Sequence, residues 1–193
     1  RTGLAKSMKG WEINGGKAIW PRASIADFEK IKGEKVVGFD RRGKYLIIEL
    51  DLHNIIVHLR MTGRIDIVEE EAPKYTTVEI DFTNGKKMCL VDYRKFGRVW
   101  VVKNISRIVG HLGVEPLSNQ FTAKKFEEML EKRTGRLKPL LLNQQFIAGI
   151  GNYLADEILF RAAIHPLRKA DTLTKEEKKI LHRSIRYVIK KAI

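Results

Sequence analysis

The sequence predicts an α+β fold: an N-terminal antiparallel β-sandwich over residues 1–110, then a helical domain over residues 111–193. Three observations carry this reading. The first hundred or so residues break into short β-rich runs separated by turn chemistry. Beyond about Gln120, apolar residues recur at helical spacing instead. Within that helical half, one apolar run is cut by Gly149-Ile150-Gly151 and restarts at Asn152.

The elements follow in order. Ile25 to Ile31 reads as a short helix. Val36 to Phe39, Lys44 to Leu50 and Ile55 to Met61 read as strands, split by turns at Arg42-Gly43 and Leu52-His53-Asn54. Thr76 to Phe82 and Lys87 to Val91 flank Thr83-Asn84-Gly85-Lys86, and Asn-Gly between alternating runs is a strong hairpin signal. Arg98 to Val102 adds a further strand. Thr122 is placed to cap a helix reaching about Lys132, and Lys138 to Ala148 and Asn152 to Ala162 form helices on either side of the glycines. Thr174 with Glu177 makes a capping-box pattern. It opens a long amphipathic helix whose apolar face carries Ile180, Leu181, Ile185, Val188 and Ile189.

Composition narrows the function. At 193 residues the chain can bury a sizeable core. No run of about eighteen apolar residues is present to span a membrane, and no secretory apolar region opens the sequence. The single Cys89 excludes an internal disulfide framework and a cysteine-rich metal site, which fits a reducing cytoplasm. A net charge of +14 and a pI near 9.9 favour a polyanionic partner, most simply nucleic acid, over a merely solvated cationic surface.

The glycine break has a physical use. Gly149 can end a helix in the left-handed conformation and Gly151 can turn the backbone again. Asn152 is a good N-cap for the restart. The outcome is helix, tight turn, helix, with N–H groups facing outward at the second helix start, which suits a phosphate. A plain helical corner with a packing glycine gives the same pattern. The nearby Lys132, Arg133, Arg136 and Lys138 favour the phosphate.

At this point the chain resembles a known family. LLLNQQFIAGIGNYLADEILFRAAIHP (Leu140 to Pro166) resembles the helix-two-turns-helix element of the formamidopyrimidine-DNA glycosylases. RRGKYLIIEL (Arg41 to Leu50), HLRMTGRI (His58 to Ile65), DYRKFGRVW (Asp92 to Trp100) and LGVEPL (Leu112 to Leu117) are similar to motifs of the same family, in the same order. The resemblance implies a monomeric, prokaryotic, nucleoid-associated repair enzyme that binds double-stranded DNA carrying a damaged base. It would flip the nucleotide from a basic cleft between sandwich and helices, break the glycosidic bond through a Schiff base, and cleave the strand by elimination.

Site residues carry over one by one as implications of that resemblance. Lys44 matches the strand lysine that moves a proton during elimination and meets a nearby phosphate. Met61 matches the side chain that fills the space the base leaves, Arg94 the arginine that reads the widowed cytosine, and Phe96 the wedge beside it. Lys95, Lys138, Gly151 and Asn152 match phosphate-contacting positions, and Arg133 or Thr134 falls where a further basic contact is usual. Tyr75 stands in Lys74-Tyr75-Thr76-Thr77, where the family often has Lys-His-Asp-His, and is assigned a phosphate contact.

The family also begins with a proline amine nucleophile next to a glutamate, and ends with a zinc finger. This chain begins at Arg1 and ends at Ile193. The expectation is therefore a fragment without turnover of its own, no metal or cofactor within the chain, and one structural zinc in a C-terminal segment outside it. Two other readings remain. One is the endonuclease-eight branch, which acts on oxidised pyrimidines; the Arg94-Lys95-Phe96 triplet favours the purine branch. The other is a non-catalytic nucleic-acid-binding module.

Overall fold

Short alternating runs joined by tight turns can bury one face only by pairing into sheets and stacking them. The computed structural model describes residues 8–192 and shows this arrangement. Eight strands form two four-stranded antiparallel sheets. The strands are β1 (Ile13–Ala18), β2 (Val36–Arg42), β3 (Tyr45–Leu50), β4 (Asn54–His58), β5 (Arg64–Val68), β6 (Thr76–Phe82), β7 (Lys87–Val91) and β8 (Arg98–Val102). One sheet runs β1-β6-β7-β5 and the other β2-β3-β4-β8. A 3₁₀ turn, Phe28–Ile31, occupies the place of the expected short helix, with the Asp27 carboxylate accepting from the Glu29 amide.

The β2–β3 hairpin sets the position of Lys44. Arg42 pairs with Tyr45, leaving Gly43 and Lys44 as a two-residue loop. Gly43 has φ of +57°, the geometry a primed hairpin turn needs at its first loop position. Lys44 is therefore a turn residue and not the strand residue the sequence predicts. The strand expected to reach Met61 likewise stops at His58, because Arg60 turns into the left-handed region at φ +59°. β1 and β5 were not expected. Two glycines erase the alternation in β1, and β5 is only five residues long.

The sandwich buries its inner faces in one cluster. Ile13, Val78, Ile80 and Leu90 come from the first sheet, and Ile48, Ile55, Val57 and Val99 from the second. Register does this work: Ile48 pairs with Ile55 and Val57 with Val99, so alternate residues of adjacent strands share a face.

The chain divides into two compact units, meeting in sequence at Gly110 and His111. A short helix α1 (Ser106–Val109) ends the first. The second holds α2 (Ala123–Glu131), α3 (Leu137–Leu142), α4 (Asn152–Ala162) and α5 (Lys175–Ala192). Thr122 caps α2 through its hydroxyl, which accepts from the Lys125 amide at 3.1 Å. At α5 the capping box is reciprocal: Thr174 Oγ1 accepts from the Glu177 amide, and Glu177 Oε2 accepts from the Thr174 amide. Phe121, Phe126, Leu141, Ile150, Ile158 and Leu181 are among the residues that fill this unit's core. Each such side chain contributes about 1.5–3 kcal/mol on leaving water. His182 joins them, 2.9 Å from the Phe121 carbonyl. No helix among the described residues is long and apolar enough to cross a membrane.

The helix expected over Lys138 to Ala148 ends at Leu142. Asn143 is extended, and its side chain accepts from the Gln145 amide, so the chain leaves the helix there and makes two successive turns. Gly113 backs those turns. Its amide donates to the Gln144 carbonyl, and a Cβ at Gly113 would lie 2.4 Å from the carbonyl oxygens of Gln145 and Phe146. Backbone cannot yield cheaply there, so Gly113→Ala is expected to destabilise the helical unit by about 1–3 kcal/mol. Urea unfolding followed by circular dichroism measures it, and an unchanged midpoint would show that the turns can move aside.

Candidate nucleic-acid interface

Three exposed segments of the sandwich unit converge on one buried carboxylate. Asp92, 1% exposed, follows β7 and begins the loop to β8. Its Oδ1 accepts from Thr62 Oγ1 at 2.5 Å and from the Arg94 amide at 3.1 Å. Its Oδ2 accepts from the amides of Phe96 and Gly97, each at 2.7 Å. The Asp92 amide donates to the Tyr75 carbonyl, and the Lys95 amide donates back to the Asp92 carbonyl, both at 3.0 Å. Burial works to raise the Asp92 pKa. The bonds from Thr62 and from the amides of Gly97, Arg94 and Phe96 outweigh it, and the carboxyl is held below its ordinary value.

On this support sit Met61, Arg94 and Phe96. Arg94 Nη1 lies 3.6 Å from Met61 Sδ, and the guanidinium carbon lies 5.0 Å from the centre of the Phe96 ring. The three form one cluster, with Met61 73% and Phe96 47% exposed. Their exposure is shared by other apolar side chains such as Phe160 and Leu52; what distinguishes these two is that they meet one arginine. Lys95 is also exposed; its φ is +59° and its ammonium stands 4.3 Å above the Trp20 ring. Tyr75, at φ +69° and exposed, has the Lys74 ammonium 5.0 Å from its ring.

Lys44 faces a separate cleft of about 380 Å³, also lined by Arg41, Tyr45, Leu59, Arg64 and Ile65. The residue is exposed overall, yet surrounding protein desolvates its ammonium enough to lower its pKa. Close by is buried His58, whose ring stacks edge-on against Tyr45 at 4.6 Å. Its Nδ1 accepts from the Arg60 amide at 3.0 Å, so the neutral ring carries its proton on Nε2. Desolvation, then the charges of Arg60 and Lys44, push its pKa down to about 4.

In the helical unit, Gly149 has φ of +91°, and its amide donates to Gln144 Oε1 at 2.9 Å. Gln144 Nε2 donates to the carbonyls of Leu142 and Ile150, so one side chain holds the turn on both sides. The N-cap of α4 is Gly151 and not Asn152: Gly151 is extended and its carbonyl accepts from the Ala155 amide, which makes Asn152 the first helical residue. No side chain caps this end, and Asn152 and Tyr153 are exposed, so the first amides of α4 face outward. Lys138 pairs with Asp156 at 2.6 Å, and Arg133 lies 5.6 Å from the Phe146 ring. The residues that sequence reasoning missed are Asp92, Thr62 and Gln144. Thr62 reaches Asp92 across 30 positions, and only Asp92 carries a local signal, an aspartate opening a turn.

Among the described residues no group of three or more His, Cys, Asp or Glu side chains is placed to hold a metal, and Cys89 is buried. These residues do not fit a zinc site, and no step through zinc is derived from them.

The His58 shift carries a pH consequence. The unfolded ring takes its proton near pH 6.5, but the folded one only near pH 4. Unfolding therefore binds a proton within this window, and stability falls as pH drops from about 6.5 to about 4. Replacing His58 with Gln is expected to flatten that part of the urea-midpoint profile; an unaltered slope would mean the ring is not held neutral.

Both units match known proteins of one family. Residues 1–99 match the profile described as the formamidopyrimidine-DNA glycosylase N-terminal domain, and residues 112–193 match the formamidopyrimidine-DNA glycosylase H2TH domain. The formamidopyrimidine-DNA glycosylase of Protochlamydia amoebophila is 40% identical over 192 residues, covering 95% of this chain and 70% of that protein. That of Pelotomaculum thermopropionicum is 39% identical over 205 residues, covering 100% and 74%. The Lactococcus lactis enzyme, solved in complex with DNA containing an abasic site, superposes with a TM-score of 0.91 at 34% identity, covering 100% of this chain and 75% of that one. Its complex with DNA containing Fapy-dG aligns with the same score and identity, covering 77% of that chain. With both halves matched, and with identity of this order across its whole length, the chain belongs to the formamidopyrimidine-DNA glycosylase family of base-excision repair.

Proposed function

We propose that the protein removes oxidised purines from duplex DNA as a glycosylase and AP lyase, with Met61, Arg94 and Phe96 entering the duplex where the damaged nucleotide leaves it. The observation that carries this reading is the exposed cluster those three side chains make on the Asp92 support. An extruded base leaves an unstacked gap and an unpaired partner. A methionine and a phenyl ring can fill the gap, and an arginine can donate to the acceptors of the orphaned base.

The remaining residues take supporting roles in this proposal. Lys44, with its lowered pKa, is suited to moving a proton during elimination and to meeting an adjacent phosphate. Lys95, Tyr75, Arg133, Lys138 and the outward amides at Gly151 and Asn152 would hold the phosphate backbone without reading sequence. The attacking amine is assigned to no residue described here, since Arg1 lies outside the described residues. The chain spans 70–74% of the length of the two curated relatives named above, so the catalytic test uses the protein made from its complete reading frame.

On duplexes carrying oxidised guanine opposite cytosine, that protein is expected to excise the base and to give a covalent adduct on borohydride reduction. Excision of thymine glycol in preference would move the assignment to oxidised pyrimidines, and binding without any adduct would leave a non-catalytic module. Arg94→Ala is expected to cost about 1–3 kcal/mol in discrimination between bases opposite the lesion, with nonspecific binding little changed. Equal losses on every duplex, measured by titration, would contradict a reading role. Affinity should also fall steeply between low and physiological salt.

A further inference from the structure

Met61, Tyr75 and Arg94 to Phe96 are far apart in sequence and largely exposed, so packing does not fix them. What they share is Asp92. Its carboxylate takes the amides of Arg94, Phe96 and Gly97 and the hydroxyl of Thr62, the neighbour of Met61; its own amide binds the Tyr75 carbonyl. The same loop is gripped from its other side. Arg98 Nη1 donates to the carbonyls of Lys95 and Gly97, at 3.1 and 2.8 Å. Between the two grips, Lys95 is held in the left-handed region, a conformation that a non-glycine residue keeps only when its surroundings impose it.

Accepting the function proposed above, we infer that Asp92 is the positioning residue that makes the gap-filling segment at Met61 and the reading loop at Arg94–Phe96 a single preformed unit. The chemistry requires an ionised carboxylate. An asparagine at this position has one acceptor oxygen where two are needed: with its NH₂ towards Phe96 and Gly97 it opposes both amides, and with its NH₂ towards Thr62 it opposes the amide of Arg94. The loop then loses its grip on the amide side while Arg98 remains. Thr62 is the separable part: without its hydroxyl the loop keeps its three amide bonds, but the Met61 segment is released from it.

Two readouts of the Asp92→Asn protein test this. Amide hydrogen exchange is expected to accelerate by roughly tenfold or more at Arg94, or at both Phe96 and Gly97, with β4 and β7 amides unchanged. Preference for cytosine over adenine opposite the lesion is expected to fall by about tenfold, while affinity for undamaged duplex stays within a factor of about two. Retained preference, or a loss shared equally by undamaged duplex, overturns the positioning role. Unchanged exchange at all three of Arg94, Phe96 and Gly97 overturns it independently, even if the parent protein proves to have no lesion preference and the functional reading itself fails. Thr62→Val guards against a misfolded Asp92→Asn protein. It should lower affinity for lesion duplex several-fold with base preference kept, and an affinity equal to the parent's would remove the link to Met61.

Discussion

A carboxylate taken out of water must be surrounded by donors, and donors so gathered are no longer free to move. Asp92 applies that constraint where the sandwich most needs it. Side chains that enter a partner must protrude, and protruding side chains have no core to order them. Ordering them at the moment of contact would consume interaction energy. Here the order is built into the backbone beforehand: amides converge on Asp92, carbonyls on Arg98, and the left-handed turn at Lys95 is tolerated because both hold. Gln144 repeats the device in the helical unit with a neutral side chain, an amide that donates twice and accepts once around the Gly149 turn.

The electrostatics of the sandwich unit tell a related story. Lys44, Arg41 and Arg64 line one cleft, with buried His58 beside Lys44 and Arg60. Desolvation lowers the pKa of the lysine, and desolvation together with the charges of Arg60 and Lys44 keeps the histidine neutral. Arg64 is paired with Asp66 at 3.0 Å, whereas the ammonium of Lys44 is held partly out of water, a cost that an arriving anion would relieve.

Local chemistry was readable and long-range chemistry was not. The β2–β3 hairpin, the Thr122 cap and the Thr174–Glu177 box depend on residues within a few positions of one another, and the sequence placed them within a residue or two. Lys44 moved from strand to turn because Gly43 takes the left-handed conformation, and Asn152 from cap to first helical residue because the extended Gly151 is itself the N-cap. β1 stayed hidden because its pairing with β6, some sixty positions away, rather than its own alternation makes it a strand. The cluster of Met61, Arg94 and Phe96 came from resemblance to a family. Its support did not: the bond from Thr62 to Asp92 spans 30 positions and leaves no periodic trace.

The ion pair of Lys138 with Asp156 changes what that lysine can offer. Seen from outside, the couple is electrically neutral. An anion settling on the ammonium gains hydrogen-bond donors but meets no net positive charge unless the carboxylate rotates away. On a polyelectrolyte, such a contact expels no condensed cation. In the phosphate-holding role proposed for it, Lys138 would act as a geometric peg that supplies donors rather than net charge.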